Sequence, residues 1–349
     1  IKFIMAFTTI NNGSLFMNTK LYTGNYSTNV ITGVGFQSDM TWIKSRSSAQ
    51  SHVITDAVRG ITKNIYPNST DGQDTVSSGI TAFGSDGFTL GANNGFNENS
   101  ATFASWNWKA NGSGSANTAG SINSTVSANT TSGFSIVSYT GDAYAGATIG
   151  HGLGVKPAMI IVKKLNGSFN WGIYHKDIGA TKLLAFTTGS PDQDTSYWND
   201  TEPTSSVFSV GNGGLTNGSG STMIAYCFAD VQGFSKMGSY TGNGNADGPF
   251  CFNGFSPSFV MIKRSDMSST GRWVLWDNKR NPSNLMDNAL FPNDSAVEND
   301  GYWKIDGLSN GFKIKDPEVE MNSNGGFYTY MAFAEAPLVG TNNIPANAR

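Results

Sequence analysis

The sequence predicts an all-β protein of three tandem homologous antiparallel β-sandwich domains with a jelly-roll-like character. One tripeptide recurs at intervals of roughly 100 residues, a period that suits a whole small domain and not a solenoid unit. Short runs of Val, Ile, Phe, Tyr, Trp and Thr alternate with Gly, Asn, Asp and Pro, and no sustained helical periodicity occurs. The copies of the tripeptide are Tyr22-Thr23-Gly24, Tyr139-Thr140-Gly141 and Tyr240-Thr241-Gly242.

Each tripeptide is followed by an apolar strand that ends in lysine. A glycine precedes that lysine by nine residues in every copy, and we expect it to supply positive φ for the turn into the strand. A lysine at a strand end can lay its stem on apolar neighbours and keep its ammonium group in water. The glycines are Gly35, Gly154 and Gly254, and the lysines are Lys44, Lys163 and Lys263.

Two later strands of each repeat carry large apolar residues two positions apart, which places both side chains on one face. We interpret the two stripes as the two inner faces of a sandwich, so that the matching aromatics fill three separate interiors. The first stripe is Phe88 with Leu90, Phe208 with Val210, and Phe312 with Ile314. The second is Trp106 with Trp108, Tyr226 with Phe228, and Met331 with Phe333.

The repeats also predict the domain boundaries. We expect β-sandwich repeats over 1–109, 134–232 and 233–337, the first with an additional N-terminal strand at its apolar start. Residues 110–133 are rich in Gly, Ser, Asn, Ala and Thr and contain no charge and no aromatic, which predicts a flexible linker. The tail 338–349 has no strand period, and we expect it to lie on a neighbouring surface or to fray.

Composition narrows the classes of function. Charged residues make up only 13% of the 349 residues and the net charge is −3, which gives no clustered basic face for nucleic acid. No apolar run is long enough to insert into a membrane as a helix. Cys227 and Cys251 are too few for a disulfide framework. We interpret Cys227 as a small buried residue, with a Cys227–Cys251 bridge as the alternative.

The three histidines do not suggest catalysis. His52, His151 and His175 match no zinc spacing and no nucleophile motif, so we interpret them as solvated or packing residues. Aligned on the strand that carries them, His175 corresponds to Asp56 and Asp277, and His52 corresponds to Trp171 and Trp273.

Acidic loops occur at comparable places in the three repeats. Paired carboxylates can bind calcium or serve in glycoside hydrolysis, but turns favour Asp and Asn for backbone reasons alone. We expect structural turns here, with calcium as the alternative and no cofactor otherwise. The loop residues are Asp71 and Asp74, then Asp192 and Asp194, then Asn293, Asp294, Glu298 and Asp300.

Two aromatic pairs are candidates for contacts with a glycan or a protein partner. Tyr197 with Trp198, and Tyr302 with Trp303, stand beside Asn and Asp residues. Flat rings next to amide and carboxylate groups suit the face of a sugar. The same composition suits a domain core or a subunit interface, which is the alternative interpretation.

Three segments of the first repeat carry a resemblance to a known family. They are Gly-Val-Gly-Phe-Gln-Ser-Asp-Met-Thr-Trp-Ile-Lys at 33–44, Ser-Asp-Gly-Phe-Thr-Leu-Gly at 85–91 and Trp-Asn-Trp-Lys-Ala at 106–110. Together with the ending Ala-Phe-Ala-Glu-Ala-Pro at 332–337, they resemble a repeated domain in virion proteins of marine tailed bacteriophages, cyanophages among them. That domain has no established catalytic residues, so the resemblance implies a setting and not a site. In that family the domain often follows lectin-like sandwich modules, which implies that Ile1 is not the true start of the protein.

The resemblance and the composition together suggest a structural and binding protein on the exposed surface of a phage particle, not an enzyme. We expect a tail-fibre, appendage or capsid-decoration subunit that contacts other virion subunits and a host-surface glycan or receptor. A homo-oligomer is expected, with a trimer as the first guess. The alternatives are a polysaccharide depolymerase that uses Asp74, Asp194 or Glu298, and a bacterial extracellular adhesin or filament subunit.

Overall fold

The computed structural model describes residues 8–267, 271–341 and 345–347. Within them, short strands dominate, helices are limited to single turns, and all pairs of named strands are antiparallel. The all-β prediction is therefore confirmed. The predicted N-terminal strand at 1–7 lies outside the described residues. Among the described residues, no helix has the length and apolar character of a membrane span.

The part of the chain up to residue 109, which we call unit 1, contains a large sheet and a small sheet. The large sheet has the order β1-β9-β3-β4-β5-β6, and the small sheet has the order β2-β8-β7. A short 3-10 turn at Gly13–Leu15 precedes the first strand. The elements are β1 Met17–Thr23, β2 Asn29–Ile31, β3 Met40–Ser45, β4 Val53–Asp56, β5 Lys63–Ile65, β6 Asp74–Thr75, β7 Ile80–Gly84, β8 Gly87–Leu90, α1 Asn94–Asn97 and β9 Thr102–Trp108.

Residues 110–232 form unit 2, with a large sheet of order β10-β11-β12-β19-β14-β15 and two strand pairs, β13-β18 and β16-β17. The elements are β10 Ser115–Asn117, β11 Ser124–Asn129, β12 Phe134–Thr140, β13 Ala147–Gly150, β14 Met159–Lys164, β15 Gly172–His175, β16 Lys182–Leu183, β17 Asp192–Gln193, α2 Thr195–Trp198, β18 Val207–Val210, α3 Gly214–Asn217 and β19 Thr222–Phe228.

The prediction of a flexible linker at 110–133 is wrong. This segment supplies β10 and β11, and β11 pairs along its whole length with β12. Ile122 and Val126 are buried, because every second residue of the segment points into the interior of unit 2. The Ser, Thr and Asn residues between them face outward or bond to the backbone. A half-buried strand can therefore have the composition of a linker.

Residues 233–341 form unit 3, whose large sheet has the order β20-β26-β22-β23 and whose small sheet has the order β21-β25-β24. The elements are β20 Ser235–Thr241, β21 Phe250–Phe252, β22 Phe255–Arg264, β23 Trp273–Asp277, β24 Ile305–Leu308, β25 Gly311–Ile314, α4 Val319–Asn322 and β26 Phe327–Pro337. The tail beyond 337 is described in part: Val339 bridges to Pro345, and Thr341 N–H donates to the Asn11 side chain of unit 1 at 2.7 Å.

Four strands have the same order and register in all three units. The residue four positions before the repeated lysine lies opposite the last aromatic of the closing strand in every copy. These pairs are Met40 with Trp108, Met159 with Phe228, and Phe259 with Phe333. The three predicted turn glycines all have positive φ, between 74° and 90°, which confirms that prediction.

The recurring tyrosine of the tripeptide fastens the first strand to the helical turn before the closing strand. In each unit its hydroxyl donates to the backbone carbonyl of the residue that precedes a buried asparagine. The three bonds join Tyr22 to Phe96 at 2.8 Å, Tyr139 to Thr216 at 2.6 Å and Tyr240 to Met321 at 2.6 Å. The strict repetition of this residue is thus a hydrogen-bonding requirement.

The second aromatic stripes of the three units meet at one centre. Ring centroids lie 6.3 Å apart for Trp108 and Phe228, 6.0 Å for Phe228 and Phe333, and 5.7 Å for Trp108 and Phe333. One continuous buried cluster holds residues of all three units. The prediction of three separate interiors is therefore wrong, because these stripes face the neighbouring units.

The first stripes of units 1 and 2 lie in interiors of their own, as predicted. Phe88 and Leu90 belong to a cluster confined to unit 1, and Phe208 and Val210 belong to one confined to unit 2. In unit 3, Phe312 is part of the shared cluster. Each large sheet of units 1 and 2 thus buries one face within its own unit and the other at the common centre.

The contacts between units close into a ring. In each unit, the last residue of β4, or of its equivalents β15 and β23, contacts the next unit. The contacts run from unit 1 to unit 2, from unit 2 to unit 3 and from unit 3 to unit 1. These contacts join the Tyr226 hydroxyl to Asp56 Oδ2 at 2.7 Å, His175 Nε2 to the Tyr330 carbonyl oxygen at 3.3 Å, and Trp106 Nε1 to Asp277 Oδ2 at 2.9 Å. Asp56, His175 and Asp277 occupy equivalent positions, and each contacts the closing strand of the next unit, so the chain has an approximate threefold arrangement.

A second set of contacts runs round the ring in the opposite direction. Trp171 Nε1 of unit 2 donates to the Tyr66 carbonyl of unit 1 at 3.0 Å, and Trp273 Nε1 of unit 3 donates to the Ala185 carbonyl of unit 2 at 2.8 Å. His52, at the same position of unit 1, faces the Phe291 carbonyl of unit 3 without a well-aligned hydrogen bond.

Candidate functional site

The three repeated lysines are fully buried, and the prediction that their ammonium groups lie in water is wrong. A loop of the neighbouring unit covers two of them: Lys163 Nζ donates to the Thr70 carbonyl at 2.9 Å, and Lys263 Nζ donates to the Thr188 carbonyl at 3.2 Å. Lys44 donates to the Ser45 carbonyl at 2.7 Å. Burial lowers the pKa of each lysine from 10.5 to about 8, because a desolvated ammonium loses its hydration.

The acidic loops form contacts between units. In unit 1, Gln73 N–H donates to the Leu165 carbonyl of unit 2 at 2.7 Å. In unit 3, Glu298 accepts hydrogen bonds from Arg46 of unit 1 at 2.7 Å and from Arg280 at 2.9 Å. The loops of units 1 and 3 therefore reach across the ring to a neighbouring unit.

The carboxylates proposed for calcium or hydrolysis have separate local partners. Asp194 Oδ1 accepts from Ser196 N–H at 2.7 Å, and Asp74 Oδ2 accepts from the Tyr66 hydroxyl at 3.2 Å. Among the described residues, no group of three or more His, Cys, Asp or Glu side chains is placed to hold a metal ion.

The three histidines are buried, as packing residues are. In each imidazole, Nδ1 accepts a hydrogen bond. The donors are Trp42 Nε1 to His52 at 2.9 Å, Leu153 N–H to His151 at 3.2 Å, and Asp177 N–H to His175 at 3.2 Å. Burial lowers the pKa of all three, and that of His175 falls to about 4. They are neutral at physiological pH. His52 and His175 lie at contacts between units, and His151 lies within unit 2.

Buried ion pairs distinguish two of the three junctions. Arg59 binds Asp56 with both side chains almost fully buried, and Arg280 binds Asp277 in the same way. Unit 2 has the neutral pair His175 and Ile178 at the same positions. The two cysteines are buried and unpaired, so the alternative of a Cys227–Cys251 bridge is wrong.

The four predicted contact aromatics are not equally available. Trp198 is only 2% exposed and packs edge-on against Tyr174, so its proposal as a contact residue is wrong. Tyr197 is half-buried, and its hydroxyl donates to Asp192 Oδ2 at 2.6 Å. Trp303 is half-buried against Phe291. Tyr302 alone of the four is largely exposed, at 60%.

A polar groove of about 570 Å³ on unit 1 was missed by the sequence analysis. It runs between the loop after β1, the start of β4, the loop before β7 and the turn of α1. Two tyrosines, three side-chain amides and one carboxylate line it. They are Tyr26, Tyr66, Gln50, Asn93, Asn94 and Asp74.

Tyr26 occupies a backbone position that disfavours side chains. Its φ is +50°, and its N–H donates to the Asn97 carbonyl at 2.8 Å. The equivalent residues, identified by the same hydrogen bond to Asn217 and Asn322, are Ala143 with φ +59° and Gly244 with φ +69°. A left-handed conformation costs a residue other than glycine about 1 kcal/mol. Tyr26 stands two residues after the tripeptide, which is the signal that could have identified it.

The buried asparagine that holds this loop is itself repeated. The Oδ1 atoms of Asn97, Asn217 and Asn322 accept from the backbone N–H groups of Asn25, Asp142 and Asn243 at 2.9–3.0 Å. Each asparagine is fully buried, so the loop that carries Tyr26 is tightly fixed.

Comparison with known proteins gives one family. The family model described as a domain of unknown function, DUF7483, matches residues 12–337. No curated protein and no solved structure matches the chain. The matched range takes in all three units and the ring that they form. The chain therefore belongs to the DUF7483 family of domains of unknown function.

Proposed function

We propose that this protein is a structural and binding subunit on the exposed surface of a phage particle, in a tail fibre, an appendage or a capsid decoration. The observation that carries the proposal is the closed ring of three equivalent units. The resemblance of its repeats to marine-phage virion domains supplies the setting. The role is assembly and attachment, without catalysis.

A ring of this kind suits a position on a threefold axis. Equivalent residues of the three units repeat around the centre, as the cyclic contacts of Asp56, His175 and Asp277 illustrate. One chain therefore presents three similar surfaces, and trimeric fibres and threefold positions of a shell present three identical ones. A single copy can contact all three partner subunits in similar ways. The homotrimer expected from the sequence stays a prediction.

The interior of the ring supports a mechanical role. Three units share one aromatic centre around Trp108, Phe228 and Phe333. Loops that reach from each unit to the next lock the junctions, with Arg46 and Glu298 joined across the closure between units 3 and 1. A chain locked in this way resists local opening, which is what protease-exposed appendages require.

Cryo-electron microscopy of purified particles tests the proposal. The expected result is density that fits the three-unit ring on or beside a threefold axis, together with peptides of the chain in the mass spectrum of the particles. Absence of the chain from particles would overturn the proposal. Its presence on bacterial filaments would favour the adhesin alternative.

A further inference from the structure

We propose that the groove on unit 1 binds a neutral saccharide, with Tyr26 as the ring on which the sugar stacks. This inference deepens the attachment role of the proposed function by assigning it a site and a ligand class. The groove differs from the places suggested by the sequence, Tyr197–Trp198 in unit 2 and Tyr302–Trp303 in unit 3. Its volume of about 570 Å³ falls within the range typical of small-molecule sites.

Tyr26 is an exposed aromatic residue on a fixed loop. The residue is 50% exposed and lines the groove, on a loop that Asn97 holds by several hydrogen bonds. The same left-handed position carries Ala143 and Gly244 in the other units, so folding does not require a large side chain there. A strained, exposed and rigidly held aromatic residue indicates a binding role.

Polar groups without an internal hydrogen bond also line the groove. Within the described residues, neither the side-chain amides of Gln50 and Asn94 nor the hydroxyl of Tyr26 make a hydrogen bond, although all three line the groove. Amides offer both donors and acceptors, which sugar hydroxyls need. Tyr66 adds a fixed hydroxyl, bonded to Asp74 Oδ2 at 3.2 Å.

The charge of the lining selects the class of sugar. Asp74 is the one charged residue among the described residues that line the groove, and no Lys or Arg is present. An anionic saccharide, such as a sulfated or uronic-acid polymer, would meet a carboxylate and no cation. A neutral hexose or N-acetylhexosamine chain meets aromatic, amide and carboxylate groups, all of which suit it.

Units 2 and 3 carry larger residues at or beside positions that correspond to the groove of unit 1. Gly91 N–H donates to the Gly79 carbonyl at 2.9 Å, and Gly211 N–H donates to the Tyr197 carbonyl at the same distance. Tyr197 of unit 2 thus stands where unit 1 has a glycine.

In unit 3, Trp303 lies beside Phe291, the residue equivalent to Tyr66 of the groove. This ring packs against Phe291 at 5.0 Å and points its Nε1 toward Glu320 at 3.4 Å. Phe291 and Tyr66 occupy equivalent positions, because each comes directly after a residue that pairs with the equivalent strand, β23 in unit 3 and β4 in unit 1. The ring of three similar units therefore carries one specialised site.

The experiment uses the full chain and an array of neutral hexose and N-acetylhexosamine oligosaccharides, with sulfated and uronic-acid oligosaccharides in parallel. Binding to neutral members is expected, and any oligosaccharide that binds is then titrated against variants by calorimetry. Tyr26→Ala, which copies Ala143 of unit 2, is expected to weaken binding by about tenfold or more. Tyr144→Ala removes a tyrosine of unit 2 that is 76% exposed and lies outside the groove, and it is expected to leave binding unchanged.

Several results would overturn the inference. They are no binding to any neutral oligosaccharide, binding of anionic members alone, or equal affinity of Tyr26→Ala and the parent. Release of reducing ends would instead refute the non-catalytic role in the proposed function. The thermal midpoint of Tyr26→Ala, expected to equal that of the parent, separates loss of the site from loss of the fold. A chain found on particles that binds no glycan would refute the groove alone, whereas glycan binding by a chain absent from particles would refute the proposed function.

Discussion

The junction between units 1 and 2 gives a quantitative test of the ring. Asp56 is fully buried and accepts hydrogen bonds from the backbone N–H groups of Val58 and Arg59, the Arg59 side chain and the Tyr226 hydroxyl. The substitution Asp56→Ala leaves the Arg59 guanidinium, itself only 3% exposed, without its counter-ion. Stranding one member of a buried ion pair costs about 3–5 kcal/mol.

The chain provides its own control for this substitution. At the junction between units 2 and 3, the residues aligned with Asp56, Arg59 and Tyr226 are His175, Ile178 and Met331. The triple variant Asp56→His, Arg59→Ile, Tyr226→Met copies that junction and removes both charges. Because neutral replacement of a buried pair is often tolerated, we expect this variant to lose less than about 2 kcal/mol.

Equilibrium urea unfolding, followed by tryptophan fluorescence, measures both variants by linear extrapolation. The account predicts a large loss of unfolding free energy for Asp56→Ala and a much smaller loss for the triple variant. A loss below about 1 kcal/mol for Asp56→Ala would refute the importance of this junction. Equal losses for both variants would show that a stranded charge is not the cause.

Three further predictions concern buried polar groups, each measured by unfolding free energy. Burial lowers the pKa of Lys163 to about 8, so the unfolded chain holds this proton more tightly than the folded chain. As the pH rises from about 7.5 to 9, the unfolding free energy of the parent should therefore increase by about 1 kcal/mol relative to that of Lys163→Met. A difference independent of pH would contradict this. Burial lowers the pKa of His175 to about 4, so the neutral imidazole stabilises the fold above about pH 6.5 and this stabilisation is lost as the pH falls. From about pH 7 to 5, the unfolding free energy of the parent should fall by about 1–2 kcal/mol more than that of His175→Phe. Tyr139→Phe should cost about 1–3 kcal/mol by leaving the Thr216 carbonyl unpaired, whereas Tyr302→Phe should cost nothing measurable.

The strand class and the register of the repeats could be predicted from the sequence because both depend on local pattern. The tripeptide, the turn glycine and the paired apolar residues recur at fixed places, so the alignment of His175 with Asp56 and Asp277 agrees with the strand pairing. Gly35 has the positive φ that its position required.

The closure of the ring could not be predicted from the same pattern. An aromatic stripe indicates that a face is buried and not what covers it, so Trp108 was assigned to its own unit. Lys163 was expected in solvent for the same reason, because the covering loop at Thr70 belongs to another unit. The groove was missed because its residues, such as Tyr26 and Gln50, are far apart in the chain and match no motif.

Calorimetric unfolding of the full chain tests the shared core most directly. If the three units form one ring around one centre, they unfold together in a single transition whose van't Hoff and calorimetric enthalpies agree. For 349 residues the enthalpy is expected near 240 kcal/mol, at about 0.7 kcal/mol per residue. Three separable transitions, each with about a third of that enthalpy, would contradict the account.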